Sequence, residues 1–147
     1  MSLLDKISKD LTGAQKKGDK IRLSTLRMIK SDLKYKQIEK NSPLTEEDEI
    51  GVLASAVKKH KDSIEQFKIA QRTDLVEQEE AELDIISEYL PKQLSEEELA
   101  SLIDQAMQES GAVSKTDLGK VMKVLMPKVK GRVDGKLVNS LVTAKLS

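Results

Sequence analysis

TEEDEIGVLASAVKKHKDSIEQFKIAQ, residues Thr45 to Gln71, decides the fold. Its apolar side chains Ile50, Leu53, Val57, Ile64 and Phe67 recur at helical spacing and so share one face of an α-helix. His60, the single histidine, falls on the same stripe. Thr45 is placed to cap the helix, and Asp48, three residues on, to answer it from the first turn. Glu46, Glu47 and Glu49 put negative charge where the helix dipole is positive. The segment therefore predicts one long helix of about seven turns.

Working outward, the same period returns on both sides. Leu4, Ile7, Leu11 and Ala14 predict a first helix that Gly18 stops. A second runs from about Asp19 to Lys40 with Leu26, Ile29 and Leu33 inward, and the turn Asn41, Ser42, Pro43 ends it. Beyond the long helix, Thr73 is read as the cap of a fourth with the stripe Val76, Glu79, Leu83, Ile86 and Leu90, ended by Pro91. Ser95 with Glu98 has the pattern of a new capping box, so Pro91 to Leu94 reads as a linker and a domain boundary. Leu99, Leu102, Ile103 and Ala106 form a fifth helix closed by Gly111. Ser114 and Asp117 open a sixth, carrying Leu118, Val121, Met122 and Leu125 and expected to stop near Met126, before Pro127. Asp134 caps a seventh through Leu137, Val138, Leu141 and Val142. The expectation is an all-α protein: an N-terminal domain of about four helices over residues 1–91, then a small three-helix domain over residues 95–147.

Composition agrees. Aromatic residues make up 2% of the chain while helix formers dominate, which disfavours sheets. The absence of cysteine removes disulfides, thiolate metal sites and thiol nucleophiles. No run approaches the roughly 18 apolar residues of a membrane span, and the first 18 residues carry charges throughout, so a cytoplasmic protein without a membrane partner is expected. The net charge of zero hides a segregation: residues 1–73 carry +5, residues 74–109 carry −11 and residues 110–147 carry +6. Such blocks either meet a polyanion or neutralise each other within the fold.

The chain holds no G-x-x-x-x-G-K-[ST] and no G-x-G-x-x-G, the loops that cradle phosphates. A lone His60 lacks partners for a histidine-rich metal site or a relayed nucleophile, and reads first as a half-buried side chain bonded to a neighbour. Glu79 and Glu82 project from adjacent turns and invite a metal or acid–base reading, yet a glutamate-rich helix is usually a solvated face. Glu79 stands among apolar positions and would need a cation such as His60 or Arg27. On these grounds no catalytic residue, metal site or cofactor is expected. The denser constellation is basic: Lys120, Lys123, Lys128, Lys130, Arg132 and Lys136, interleaved with Val121, Met122, Leu125 and Leu137 as a small core, with Gly131 and Gly135 allowing close backbone approach. No aromatic platform accompanies it. That pattern suits phosphate and shape recognition of a folded RNA, although a solvated basic face has the same composition.

GKVMKVLMPKVKGRVDGKLVNSLV, Gly119 to Val142, resembles the end of the GatB/YqeY family. RTDLVEQEEAELDIISEYLPKQLS, Arg72 to Ser95, and the group Lys20, Arg22, Leu26 and Arg27 resemble its stand-alone YqeY-like branch. The resemblance implies an N-terminal helical domain joined to a three-helix domain. It also implies kinship with the tail of the GatB subunit of the glutamyl/aspartyl-tRNA amidotransferase, a carbon–nitrogen ligase using glutamine as amido donor, where that tail helps to engage transfer RNA. Gly119, Lys120, Lys128, Gly131, Arg132, Gly135 and Lys136 match the tail motif. Catalysis is not implied, since the large subunit's phosphorylating domain and the glutaminase lie outside these residues. The functional expectation is an accessory protein whose tail binds transfer RNA or another folded RNA. One alternative is an interaction adaptor that meets a protein partner through its N-terminal helices, and a third reading is an enzyme resting on Glu79, Glu82 and His60, with or without a metal.

Overall fold

The computed structural model describes residues 2–146. Among them are seven α-helices, one short 3-10 turn and no strand, so the chain is all-α. The contacts divide it after Leu90 into two compact units.

The first unit holds α1 (Leu3–Lys17), α2 (Lys20–Lys40), α3 (Glu46–Ile69) and α4 (Thr73–Ser87). Local signals set most of the boundaries. Ser2 and Asp5 form a capping box on α1, and Thr45 and Asp48 form the expected one on α3. Helix α1 closes where Gly18 enters the left-handed region (φ 70°), its amide and that of Asp19 bonding back to Gln15 and Ala14. Asn41 does the same for α2 at φ 56°. Ile7, Leu26, Ile29, Leu33, Leu53, Ala56, Ile85 and Ile86 form the core. Each Leu or Ile fully buried there contributes roughly 1.5–3 kcal/mol.

Helix α4 departs from expectation at both ends. Thr73 is its first helical residue and not its cap. Gln71 turns left-handed (φ 58°) and Arg72 donates its amide to Phe67 O at 2.9 Å, so the chain reverses within two residues and leaves no extended position for a threonine cap. Arg72 occupies the cap position and pairs with Asp74 instead. At the other end α4 stops at Ser87, before Pro91 can act. The amides of Glu88, Tyr89 and Leu90 bond three residues back, tightening the last turn. Tertiary contacts hold that turn: Arg22 grips Glu88 through two bonds of 2.7 and 3.1 Å, Tyr89 donates its hydroxyl to Asp10 at 2.5 Å, and Lys6 lies over the Tyr89 ring. Burial, and then the bond to Asp10, raise the Tyr89 hydroxyl above its ordinary pKa.

The second unit contains α5 (Glu96–Ser110), a 3-10 turn (Lys115–Asp117), α6 (Leu118–Val129) and α7 (Gly135–Lys145). Leu99, Ile103, Ala106, Val121, Leu125, Val129, Val138, Val142 and Leu146 form its separate core. Helix α6 runs through Pro127, three residues further than expected. Burying Val129 and the bond from Lys130 N–H to Met126 O outweigh the one ladder bond the proline cannot make. Leu137, expected in the core, is 47% exposed, and its neighbour Val138 takes the inward position. The stretch read as a linker belongs to this unit. Leu94 N–H bonds to Arg132 O at 2.9 Å, Gln93 Nε2 to Gly131 O at 3.2 Å, and Arg132 Nε to Lys92 O at 3.1 Å.

Candidate functional site

Two groups of residues bear chemistry, one in each unit. The tail's basic residues divide into those spent on the fold and those left over. Lys128 Nζ lies 3.3 Å from Glu109, and Lys120 Nζ 3.5 Å from Asp117. Arg132 directs its Nε to the Lys92 carbonyl, and Gly131 sits at φ 76° with its own carbonyl held by Gln93. Both belong to the clamp on residues 92–94, and Gly131 is there because a side chain is costly in the left-handed region. Lys123, Lys130 and Lys136 are exposed and form no ion pair among the described residues. Lys130 directly follows α6, and on that helix Lys120, itself largely exposed, is one turn before Lys123. At Gly135 and Gly119 an added Cβ would meet nothing within 4 Å, so packing within the fold does not require glycine at either position.

In the first unit the structure brings together His60 from α3 and Glu79 and Glu82 from α4. His60 Nε2 lies 3.1 Å from Glu82 Oε2 and 3.6 Å from Glu79 Oε2. Its other ring nitrogen, Nδ1, is 2.8 Å from the carbonyl of Ala56, one turn earlier on α3. His60 is 7% exposed, so it is buried more deeply than its position on the stripe suggested. The partner of Glu79 is His60 and not Arg27, which is exposed. Glu82 reaches further, lining a shallow cleft of about 480 Å³ with Lys20, Ser24, Glu77 and Gln78. Of the other N-terminal positions singled out in sequence, Leu26 is core and Arg22 is committed to Glu88. The Lys6, Asp10 and Tyr89 cluster gave no sequence signal, because Tyr89 lies 79 positions from Asp10 and further still from Lys6.

Fold and residues together define a class: a small all-helical protein of two compact units, the second carrying unpaired lysines on its surface. Residues 4–146 match the model of the family described as Yqey-like protein, and the chain belongs to that family. A relative from Pyrenophora tritici-repentis, "Altered inheritance of mitochondria protein 41, mitochondrial", is 30% identical over 145 residues, covering 95% of this chain and 78% of the relative. A protein of the same name from Saccharomyces cerevisiae is 30% identical over 86% of this chain and 68% of its own length. An uncharacterized protein of Schizosaccharomyces pombe is 35% identical over 60% of this chain and 72% of itself. Two of these three relatives are named as mitochondrial, and the cytoplasmic expectation is corrected by that finding. The correction has a simple physical basis: a helical chain without an apolar span has the same composition on either side of an organelle membrane. No helix among the described residues is long and apolar enough to cross a membrane.

Proposed function

We propose that this chain is an accessory RNA-binding protein whose tail meets the phosphates of a folded RNA, transfer RNA being the first candidate from the tail's resemblance to the GatB subunit of the amidotransferase. The observation that carries the proposal is the unpaired state of Lys123, Lys130 and Lys136, which match the basic run of the tail, in a unit where Lys120, Lys128 and Lys145 have carboxylate partners and Lys92 and Lys115 lie outside that run. Cations left without acidic partners are free to displace counterions from a polyanion. Lys120 stays largely exposed beside Asp117 at 3.5 Å and adds a fourth phosphate contact, enough for a slope of log K against log salt of roughly −3. Lys128 and Arg132 contribute indirectly, by shaping the surface.

The test compares wild type with a variant carrying Lys123→Glu, Lys130→Glu and Lys136→Glu, measuring transfer-RNA affinity by fluorescence anisotropy at several salt concentrations after circular dichroism has shown both folded. The variant is expected to lose most of the affinity and of the salt slope. Equal affinities and equal slopes would reject the reading. A second reading, an adaptor for a protein partner, is supported by Tyr35 and Ile38, which stand 72% and 77% exposed three residues apart on α2. A partner that stays bound after ribonuclease treatment and is released by Tyr35→Ser with Ile38→Ser would favour it.

A further inference from the structure

We propose that His60, Glu79 and Glu82 form a binding site for one divalent first-row transition metal ion. Hydrogen positions fix the character of this cluster. A carbonyl only accepts, so the contact from His60 Nδ1 to Ala56 O at 2.8 Å places a proton on Nδ1. In the neutral ring Nε2 then carries a lone pair, and that lone pair faces two carboxylate oxygens at 3.1 and 3.6 Å. Three acceptors turned toward one another repel unless something positive lies between them. Neither carboxylate is paired with a lysine or arginine among the described residues, and both are largely covered, with side chains 22% and 15% exposed.

Charge and spacing favour a metal ion over a proton. Two carboxylates carry two negative charges; a proton on the ring leaves one uncompensated, whereas a divalent ion bound by a neutral imidazole balances both. The three ligand atoms lie within 4.8 Å of one another. Ligands about 2.1 Å from a tetrahedral ion are about 3.4 Å apart, a value that the two histidine–carboxylate distances bracket. The Ala56 carbonyl does what outer partners of metal-bound histidines do: it fixes the tautomer and aims the second nitrogen inward. An imidazole with two carboxylates suits zinc, manganese, iron or cobalt better than calcium or magnesium. The residual exposure of the two carboxylates gives the ion access from solvent. An ion held there ties α3 to α4.

The experiment uses the tag-free full chain, stripped with chelator and titrated with Zn²⁺ by calorimetry and with Co²⁺ by visible absorption. One ion per chain is expected, with His60→Gln and Glu82→Gln each weakening binding tenfold or more and Glu80→Gln, an exposed position on the same helix, leaving it unchanged. At a hundredfold excess over Kd the unfolding midpoint should rise by something on the order of 10 °C. His60 is the chain's single histidine, so its ring resonances report on the site in wild type even if a variant fails to fold. Ring signals unmoved by saturating zinc would overturn the proposal. So would metal binding that survives the combined His60→Gln and Glu82→Gln change, which would put the ion on other surface carboxylates.

Discussion

Asp117 shows how one carboxylate can hold a turn. It accepts the amides of Val113 at 3.0 Å and Ser114 at 3.4 Å, so it satisfies the backbone at the point where the chain leaves α5 and starts toward α6. The Val113 bond foremost, then the Ser114 bond and the nearby Lys120, hold its pKa below the ordinary carboxylate value despite some opposition from burial. A depressed native pKa adds stability above the unfolded pKa, near about 4, and that stability is lost as pH falls through the native value. Acidification from roughly pH 5 to pH 3 should therefore weaken the second unit more in wild type than in Asp117→Asn, whose side chain does not titrate. Urea unfolding followed at both pH values checks this; an identical loss in the two proteins would mean that other carboxylates dominate. At the same scale sequence reading had partial sight. A carboxylate on an apolar stripe needs a partner, so Glu79 was matched to His60 or Arg27 without deciding between them, and Lys123 and Lys130 were not separated from Lys128. That distinction depends on Glu109, 19 positions away, coming within 3.3 Å of Lys128.

At the scale of the element, most helix boundaries set by a side-chain cap were legible, whereas the left-handed turn at Gln71 before α4 was not. Thr45, Ser95 and Asp134 all cap where expected, since an N-cap bond closes over two or three residues and owes nothing to the rest of the molecule. Reading failed where packing outvoted local rules. Helix α4 ends early because its final turn is pinned by Asp10 and Arg22 on α1 and α2, and α6 ends late because Val129 is buried. The second case makes a prediction. Pro127 leaves the Lys123 carbonyl without its helical donor and offers no buried contact in exchange, being exposed. Replacing it with alanine restores that donor, and the gain exceeds the extra freedom given to the unfolded chain. Pro127→Ala should stabilise the protein by about 1 kcal/mol, seen as a higher midpoint in denaturant with an unchanged slope. A loss of stability would show that the proline shapes the turn leading into Lys130 and Gly131.

Across the whole molecule, the charge segregation seen in sequence resolves in part into pairs: α5 supplies Asp104 and Glu109 to Lys145 and Lys128 of the same unit. What those pairs leave unspent is what the RNA reading relies on. The attachment of residues 92–94 to the unit that begins at Pro91 was not legible in sequence, because the bonds that make it reach about 40 positions along the chain. Each unit also buries its own set of side chains, with no residue shared between the two cores. A core as small as the second is marginal, so its integrity is sensitive to single deletions of volume. Leu125 is fully buried at its centre. Leu125→Ala should cost about 2–5 kcal/mol through lost burial and the cavity left behind. If the cores are energetically separate, the cost falls on the second unit alone: amide hydrogen exchange should quicken throughout α5, α6 and α7 while the protected amides of α1 to α4 keep their rates. Equal loss of protection in both units would mean that the chain unfolds as one cooperative body, and the tail could then not be treated as a module that carries its lysines independently of the N-terminal helices.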